Sequence, residues 1–272
     1  MKISKGTIVL IVVLAVLVAM GIKNSKKEKS LYEKILKEVT LVADGKVQSG
    51  NNGKLVLAAG KINFEGDIQF EELDKPIKSF KVIRIVKDFV EYEKDGEKHY
   101  DWQERTQAKS TWGALLDQVY STQKTITPTI GEFTLDSKGL ELVNASSYYE
   151  TDNLIAGLKW NGMEYTNMGR DDAEPGDVSI TYDYFDCEKN EYLTILAKQS
   201  GNTFVPYTLD KEDVYRVFNG KIDSMEKLTT ELDVQVQKSN RGRIALYVLI
   251  VLVALLLMYN NAKTLKQKKA EN

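Results

Sequence analysis

The chain has 272 residues, enough for one large domain or two small ones. Its 37 basic and 39 acidic side chains leave a formal charge of -2, which gives no bulk electrostatic reason to expect nucleic acid as a partner. With only one cysteine, Cys187, an internal disulfide is excluded; the compartment stays open, because exported domains also fold without cross-links.

Residues 1–6 form a basic start, with Lys2 and Lys5, ahead of an apolar stretch at 7–22. That order suits a secretory signal, but the run is longer than a usual signal core. Lys23, Lys26, Lys27 and Lys29 follow at once, as after a stop-transfer segment, so the reading favoured is an uncleaved membrane helix. Residues 23–50 read as a helical stalk or linker. Leu31, Ile35 and Val39 recur every four positions over Glu28–Glu38, with Glu28, Tyr32, Glu33 and Lys37 facing elsewhere.

The middle, 51–227, has strand character, and most of the 14 tyrosines lie between the two ends. Lys54–Ile62 reads as a central strand near Gly60. Phe80–Glu93 is rich in β-branched and aromatic residues. Lys94-Asp95-Gly96 supplies a turn into Glu97–Trp102, a hairpin in which Phe89, Tyr92, Tyr100 and Trp102 pack across the strands. Trp112–Tyr120 is a candidate helix, and Ile130–Asp136 a short strand. Asp152 or Asn153 would cap an apolar turn over Leu154–Trp160, closed by Asn161-Gly162. Val178–Phe185, Glu191–Gln199 and Thr203–Tyr207 are expected to form an antiparallel meander. Asp210 would cap a helix over Lys211–Phe218, and Asp223 with Glu226 resembles a capping box.

Residues 228–243 read as a linker helix into a second apolar stretch at 244–260, and 261–272 as a basic tail. Ile244–Tyr259 carries no charge, proline or glycine, with Arg241, Arg243, Lys263 and Lys266 close by. As a helix it reaches about 24 Å, and snorkelling flanks extend it towards a hydrocarbon core of about 30 Å. The fold class expected is therefore a membrane protein: two transmembrane helices flanking a mainly β (antiparallel, α+β) extramembrane domain. The flanking charges do not choose which side that domain faces.

No catalytic constellation stands out. His99 is the only histidine and sits in a strand setting. Cys187 lacks a companion for metal or redox chemistry. The densest acidic group is Asp171, Asp172, Glu174 and Asp177, with Asp183 and Asp186 nearby. Clustered oxygens suit calcium, but the spacing lacks the EF-hand pattern. No phosphate-binding glycine loop or dinucleotide fingerprint occurs, and no cofactor is expected. The basic flanks suit anionic lipid head groups.

Several segments together resemble the transmembrane protein 43 (LUMA) family. They are Asn52–Gly60, Phe80–Tyr92 with Tyr100-Asp101-Trp102, Ile130–Leu140, Pro175-Gly176-Asp177-Val178 with the strand after it, Thr194–Pro206 and Leu209–Glu226. The resemblance covers most of Gly53–Lys227, and it marks Gly53, Gly60, Tyr92, Trp102, Gly131, Phe133, Pro175, Gly176, Asp177 and Pro206 as structural or interaction candidates. It implies a multi-pass membrane protein with a large lumenal or extracytoplasmic domain. Animal members sit in the endoplasmic reticulum and inner nuclear membrane, associate with emerin and lamins, and have several crossings after the domain where this chain has one apolar stretch. No catalytic residue is known for the family, so none transfers.

The expectation is a non-enzymatic, membrane-anchored scaffold that organises a membrane or envelope. Its partners would be membrane lipids and a protein, or a second copy of itself. It would lie in the plasma membrane if bacterial and in the endoplasmic reticulum or nuclear envelope if eukaryotic. The alternatives are a metal-dependent enzyme or calcium module using Asp171–Asp177, and a lipid-sensing accessory subunit.

Overall fold

The computed structural model describes residues 24–110, 114–151, 157–168 and 172–238, together with Arg241, Leu246 and Val253. In chain order the strands are β1 (Thr40–Val42), β2 (Leu55–Asn63), β3 (Lys81–Lys94), β4 (Glu97–Glu104), β5 (Thr122–Thr125), β6 (Thr129–Ile130), β7 (Phe133–Thr134), β8 (Ser147–Tyr148), β9 (Lys159–Trp160), β10 (Tyr165–Thr166), β11 (Val178–Tyr184), β12 (Tyr192–Ser200), β13 (Thr203–Val205), β14 (Tyr207–Leu209), β15 (Glu212–Val214) and β16 (Arg216–Asn219). Two compact units emerge. One comprises Thr40–Tyr207 and Asp213–Asp223, and the other Met1–Val39, Thr208–Glu212 and Ser224–Asn272.

The larger unit holds two sheets, and all but one of the strand pairs that build them are antiparallel. The first runs β13-β12-β2-β6-β7, with β1 parallel to β2 and β16 on β12. The second runs β4-β3-β11-β10-β9, with β5 on β3 and β8 on β11. Leu55 to Ala59 of β2 are buried on both faces, which explains their unbroken apolar run. Val56, Ala58, Ile195, Ala197, Phe133 and Phe204 belong to the first core, where the Phe133 and Phe204 rings stack at 4.6 Å. The second core includes Val82, Val86, Ile180, Tyr182, Tyr165 and Phe70.

Three glycines let backbones meet beside the first core. A Cβ on Gly60 would lie 2.7 Å from both the Gly131 nitrogen and the Ile130 carbonyl carbon. Gly131 has φ of 61° and faces Gly45, whose carbonyl accepts from the Glu132 amide at 2.9 Å. Elsewhere in this unit Lys81 is buried, and its ammonium donates to the Leu140, Glu141 and Val143 carbonyls at 2.7, 3.1 and 2.6 Å. It thereby closes the C-terminal end of the helix Ser137–Leu142, which Asp136 caps by accepting from the Gly139 amide.

In the smaller unit, residues 24–38 are helical and bury Tyr32 and Ile35, so Tyr32 lies inward rather than on the outer face expected of it. Lys27 pairs with Glu212, and Lys34 with Asp210. Residues 225–238 are helical, with Leu228 and Leu232 buried. Ser224 caps this helix, its hydroxyl accepting from the Lys227 amide at 3.2 Å; the cap therefore falls one residue after Asp223.

The expected fold class needs correction. The described residues form mainly antiparallel sheets with short helices, and among them no helix is long and apolar enough to cross a membrane. The helix at 24–38 carries Lys26, Lys27, Glu28, Lys29, Glu33, Lys34 and Lys37, a charge load unsuited to hydrocarbon. The stretch at 7–22 lies outside the described residues, as does 244–260 except for Leu246 and Val253.

Local expectations change as well. Ile130–Asp136 is not one strand: β6 and β7 form a tight hairpin about Gly131-Glu132. Trp112 lies outside the described residues, and the helix predicted there shrinks to Leu115–Gln118. Residues 152–156 also lie outside, while Lys159–Trp160 is a strand paired with β10 rather than part of an apolar turn. β11 does not join β12 in a meander, because the Asp186 carboxylate accepts from the Glu188 and Lys189 amides and turns the chain into the other sheet. Lys211–Phe218 is extended rather than helical. Asp210 and Lys211, at φ of 52° and 68°, make a left-handed turn between β14 and β15, and Arg216–Asn219 pairs with β12.

Candidate functional site

Alternation along β3 builds the most distinctive surface of the larger unit. Val82, Arg84, Val86 and Asp88 point inward and are buried, leaving Ile83, Ile85 and Lys87 on the opposite face. On β11, Val178, Ile180 and Tyr182 take the inner face, so Thr181 and Asp183 join Ile85 and Lys87 outside. The register places Thr181 opposite Ile85 and Asp183 opposite Ile83.

Two buried ion networks fix β3 from within. Arg84 donates to Glu72 at 2.6 Å and to the Tyr120 carbonyl at 2.8 Å, and the Tyr182 hydroxyl donates to the same Glu72 oxygen at 2.6 Å. Burial, reinforced by Glu72, raises the Tyr182 pKa, so this phenol stays a donor. Arg105 forks onto both oxygens of Asp88 and also holds the Leu116 and Val119 carbonyls, while Lys109 reaches Asp88 at 2.8 Å. Burial pushes the Asp88 carboxyl up, but the hydrogen bonds from Arg105 and Lys109 outweigh it and hold the pKa below the ordinary value.

Over the outer face lies a cleft of about 340 Å³, lined by Ile85, Lys87, Thr181 and Asp183 from the two strands, and by Tyr148, Glu150, Trp160, Gly162, Met163 and Glu164 from the edges. Tyr148 and Met163 are strongly exposed, at 64% and 78%. Glu164 accepts from the Ser179 hydroxyl. Asp183 differs from the other acids of the cleft: its Oδ1 has no access to solvent and no hydrogen-bond partner among the described residues, and burial raises its pKa. A carboxyl with a raised folded pKa costs stability once pH climbs above the ordinary carboxylate range. Asp183→Asn is therefore expected to raise the melting temperature at pH 7, with the gain fading as pH falls towards 4. Thermal unfolding at the two pH values checks both parts.

The residues singled out from the sequence fall elsewhere. Gly60, Gly131 and Phe133 build the first core, and Gly53, at φ of 84°, donates its amide to the Gln199 carbonyl. Pro206 lies between β13 and β14. Trp102 packs edge-on against Phe89 at 5.3 Å, and Tyr100 stacks on the same ring, whereas Tyr92 stacks on His99 on the opposite face. Pro175, Gly176 and Asp177 lie at the base of that hairpin. The Gly176 amide donates to the Phe89 carbonyl at 3.0 Å, and the Asp177 carbonyl accepts from the Phe89 amide at 2.9 Å.

Asp171 lies outside the described residues. The Asp177 carboxylate accepts from the Glu174 amide at 2.7 Å, and no group of three His, Cys, Asp or Glu among the described residues is arranged to hold a metal. Cys187 is half-buried, and burial pushes its thiol up to about 11, far from a thiolate at neutral pH. Sequence reasoning named Asp183 only as a neighbour of the acidic loop. The signal for its role was the alternation in Val178–Tyr184, which puts this carboxylate on the outer face while the tyrosines on either side of it turn to the second core.

The sequence model of the Transmembrane protein 43 family matches residues 82–268, well over half of the chain. The chain belongs to the Transmembrane protein 43 family. No characterised protein and no solved structure matches it. The family is one of membrane proteins, and the matched region of this Transmembrane protein 43 family member takes in every residue lining the cleft. It also starts within β3, beyond Asn52–Gly60, and runs past 260.

Proposed function

We propose that this protein is a non-catalytic, membrane-associated scaffold whose larger unit binds protein partners, with that unit on the lumenal or extracytoplasmic side. The observation that carries the reading is the outer face of the second sheet. Ile83, Ile85, Phe89 and Trp102 are only half-covered there, and Tyr100, Tyr148 and Met163 are exposed around them. Aromatic and methionine side chains in such a setting are the usual anchors of protein contacts. Family membership supports the membrane association.

The ionisable groups support a binding role over chemistry. Arg84 with Glu72, and Arg105 with Asp88, are engaged in holding strands, His99 stacks on Tyr92, and the Cys187 thiol is held protonated. Proximity labelling from the full chain at native expression, followed by purification, is expected to recover reproducible protein neighbours. Purification as a clean monomer with no recurrent neighbour would sink the proposal.

A further inference from the structure

We infer that the cleft over β3 and β11 receives a basic side chain, lysine or arginine, presented by a protein partner. The inference rests on the scaffold reading and names the chemistry that the partner must bring. Three of the lining groups are carboxylates, Asp183, Glu150 and Glu164, against one ammonium, Lys87. Lys87 is exposed and forms no ion pair within 4 Å among the described residues, so Asp183 is not neutralised from inside the domain. Asp183 is partly exposed and lines the cleft, so a cationic group entering it meets that carboxylate and can form a charge-assisted hydrogen bond.

The rest of the lining suits the remainder of such a side chain. Ile85, Met163 and the Thr181 methyl offer apolar surface to a methylene stem, as long basic side chains require. Tyr148 and Trp160 supply aromatic rings, which attract an ammonium or guanidinium over their faces. An anionic ligand meets the wrong sign of charge. A bare metal ion meets oxygens that are not grouped for coordination among the described residues. A cleft of about 340 Å³ has room for one extended side chain.

The test uses the full chain in mild detergent and fluorescein-labelled alanine peptides carrying one central lysine, arginine, norleucine or glutamate, read by anisotropy. Saturable binding is expected for the lysine and arginine peptides, at least about tenfold weaker for norleucine and none for glutamate, since only the first two can form a charge-assisted hydrogen bond. Asp183→Asn is expected to weaken lysine binding about tenfold while leaving the melting temperature unchanged or higher, so the loss is not one of folding. Glu150→Gln, at an exposed position, is expected to weaken it a few-fold. Equal binding of norleucine and lysine, or lysine binding unchanged by Asp183→Asn, overturns the assignment. If neighbours recovered by proximity labelling persist while no peptide binds, the cleft inference falls and the scaffold reading stands. A lysine preference without recoverable neighbours does the reverse.

Discussion

Arg84→Met is expected to cost the larger unit about 3–5 kcal/mol, the range for removing one member of a buried ion pair. The side chains of Arg84 and Glu72 are 9% and 1% exposed, so neither water nor salt can replace the lost partner. Glu72 would keep only the Tyr182 hydroxyl, on the same oxygen that Arg84 used, and its Oε2 already has no hydrogen-bond partner. The Tyr120 carbonyl would lose its donor as well, and Phe70 the cation that sits 4.9 Å from its ring centre. Replacing both Arg84 and Glu72 by methionine is expected to recover most of the loss, because the penalty lies in the stranded charge rather than in the missing attraction. Urea unfolding of the two variants and of Glu72→Met completes the cycle. A single-variant cost below about 1 kcal/mol would mean that Glu72 is neutralised in another way.

Gly60→Ala is expected to cost about 3 kcal/mol or more, the upper part of the range for overpacking. The added methyl would meet backbone atoms of Ile130 and Gly131 at 2.7 Å, and backbone cannot swing aside as a side chain can. β2 is held on one edge by β12 and on the other by β1 and β6, which leaves no direction for relief. Gly53→Ala is the control. Its φ of 84° is unfavourable to alanine, but nothing lies within 4 Å of the added carbon, so only about 1–2 kcal/mol of backbone strain is expected. Comparable losses at the two positions, by thermal or urea unfolding, would remove the case for close backbone approach at Gly60.

What could be read from the sequence was local. Asp95-Gly96 turns the β3–β4 hairpin at φ of 54° and 81°, and those residue types announce such a turn by themselves. Asp210-Lys211 adopts the same left-handed pair of conformations, but lysine is not a turn former, and the apolar spacing after it suggested a helix. Partner choice was also out of reach. β11 is continuous with the run towards β12 in sequence, yet it pairs with β3 from nearly a hundred residues earlier. The candidate site follows the same division. The alternation that puts Asp183 outside was visible, whereas the cleft needs Tyr148, Trp160 and Met163, brought in by the short strands β8, β9 and β10 and their turns, which carry almost no periodic signal.

β3 is a single unbroken strand, but its two halves are held differently. As far as Asp88 it has β11 on one side, and β5 or the start of the β4 pairing on the other. Phe89 is still bonded to Gly176 and Asp177, but from Val90 to Lys94 the only strand partner of β3 among the described residues is β4. The inner half is thus bound into the cooperative unit of the second core, and separating it means dismantling the sheet. The outer half is a two-stranded ribbon whose rungs open one after another from the Asp95-Gly96 end, leaving the core intact. One strand therefore joins a rigid floor under the cleft to an arm that yields, and a partner gripping the arm would strain the domain no further inward than Phe89.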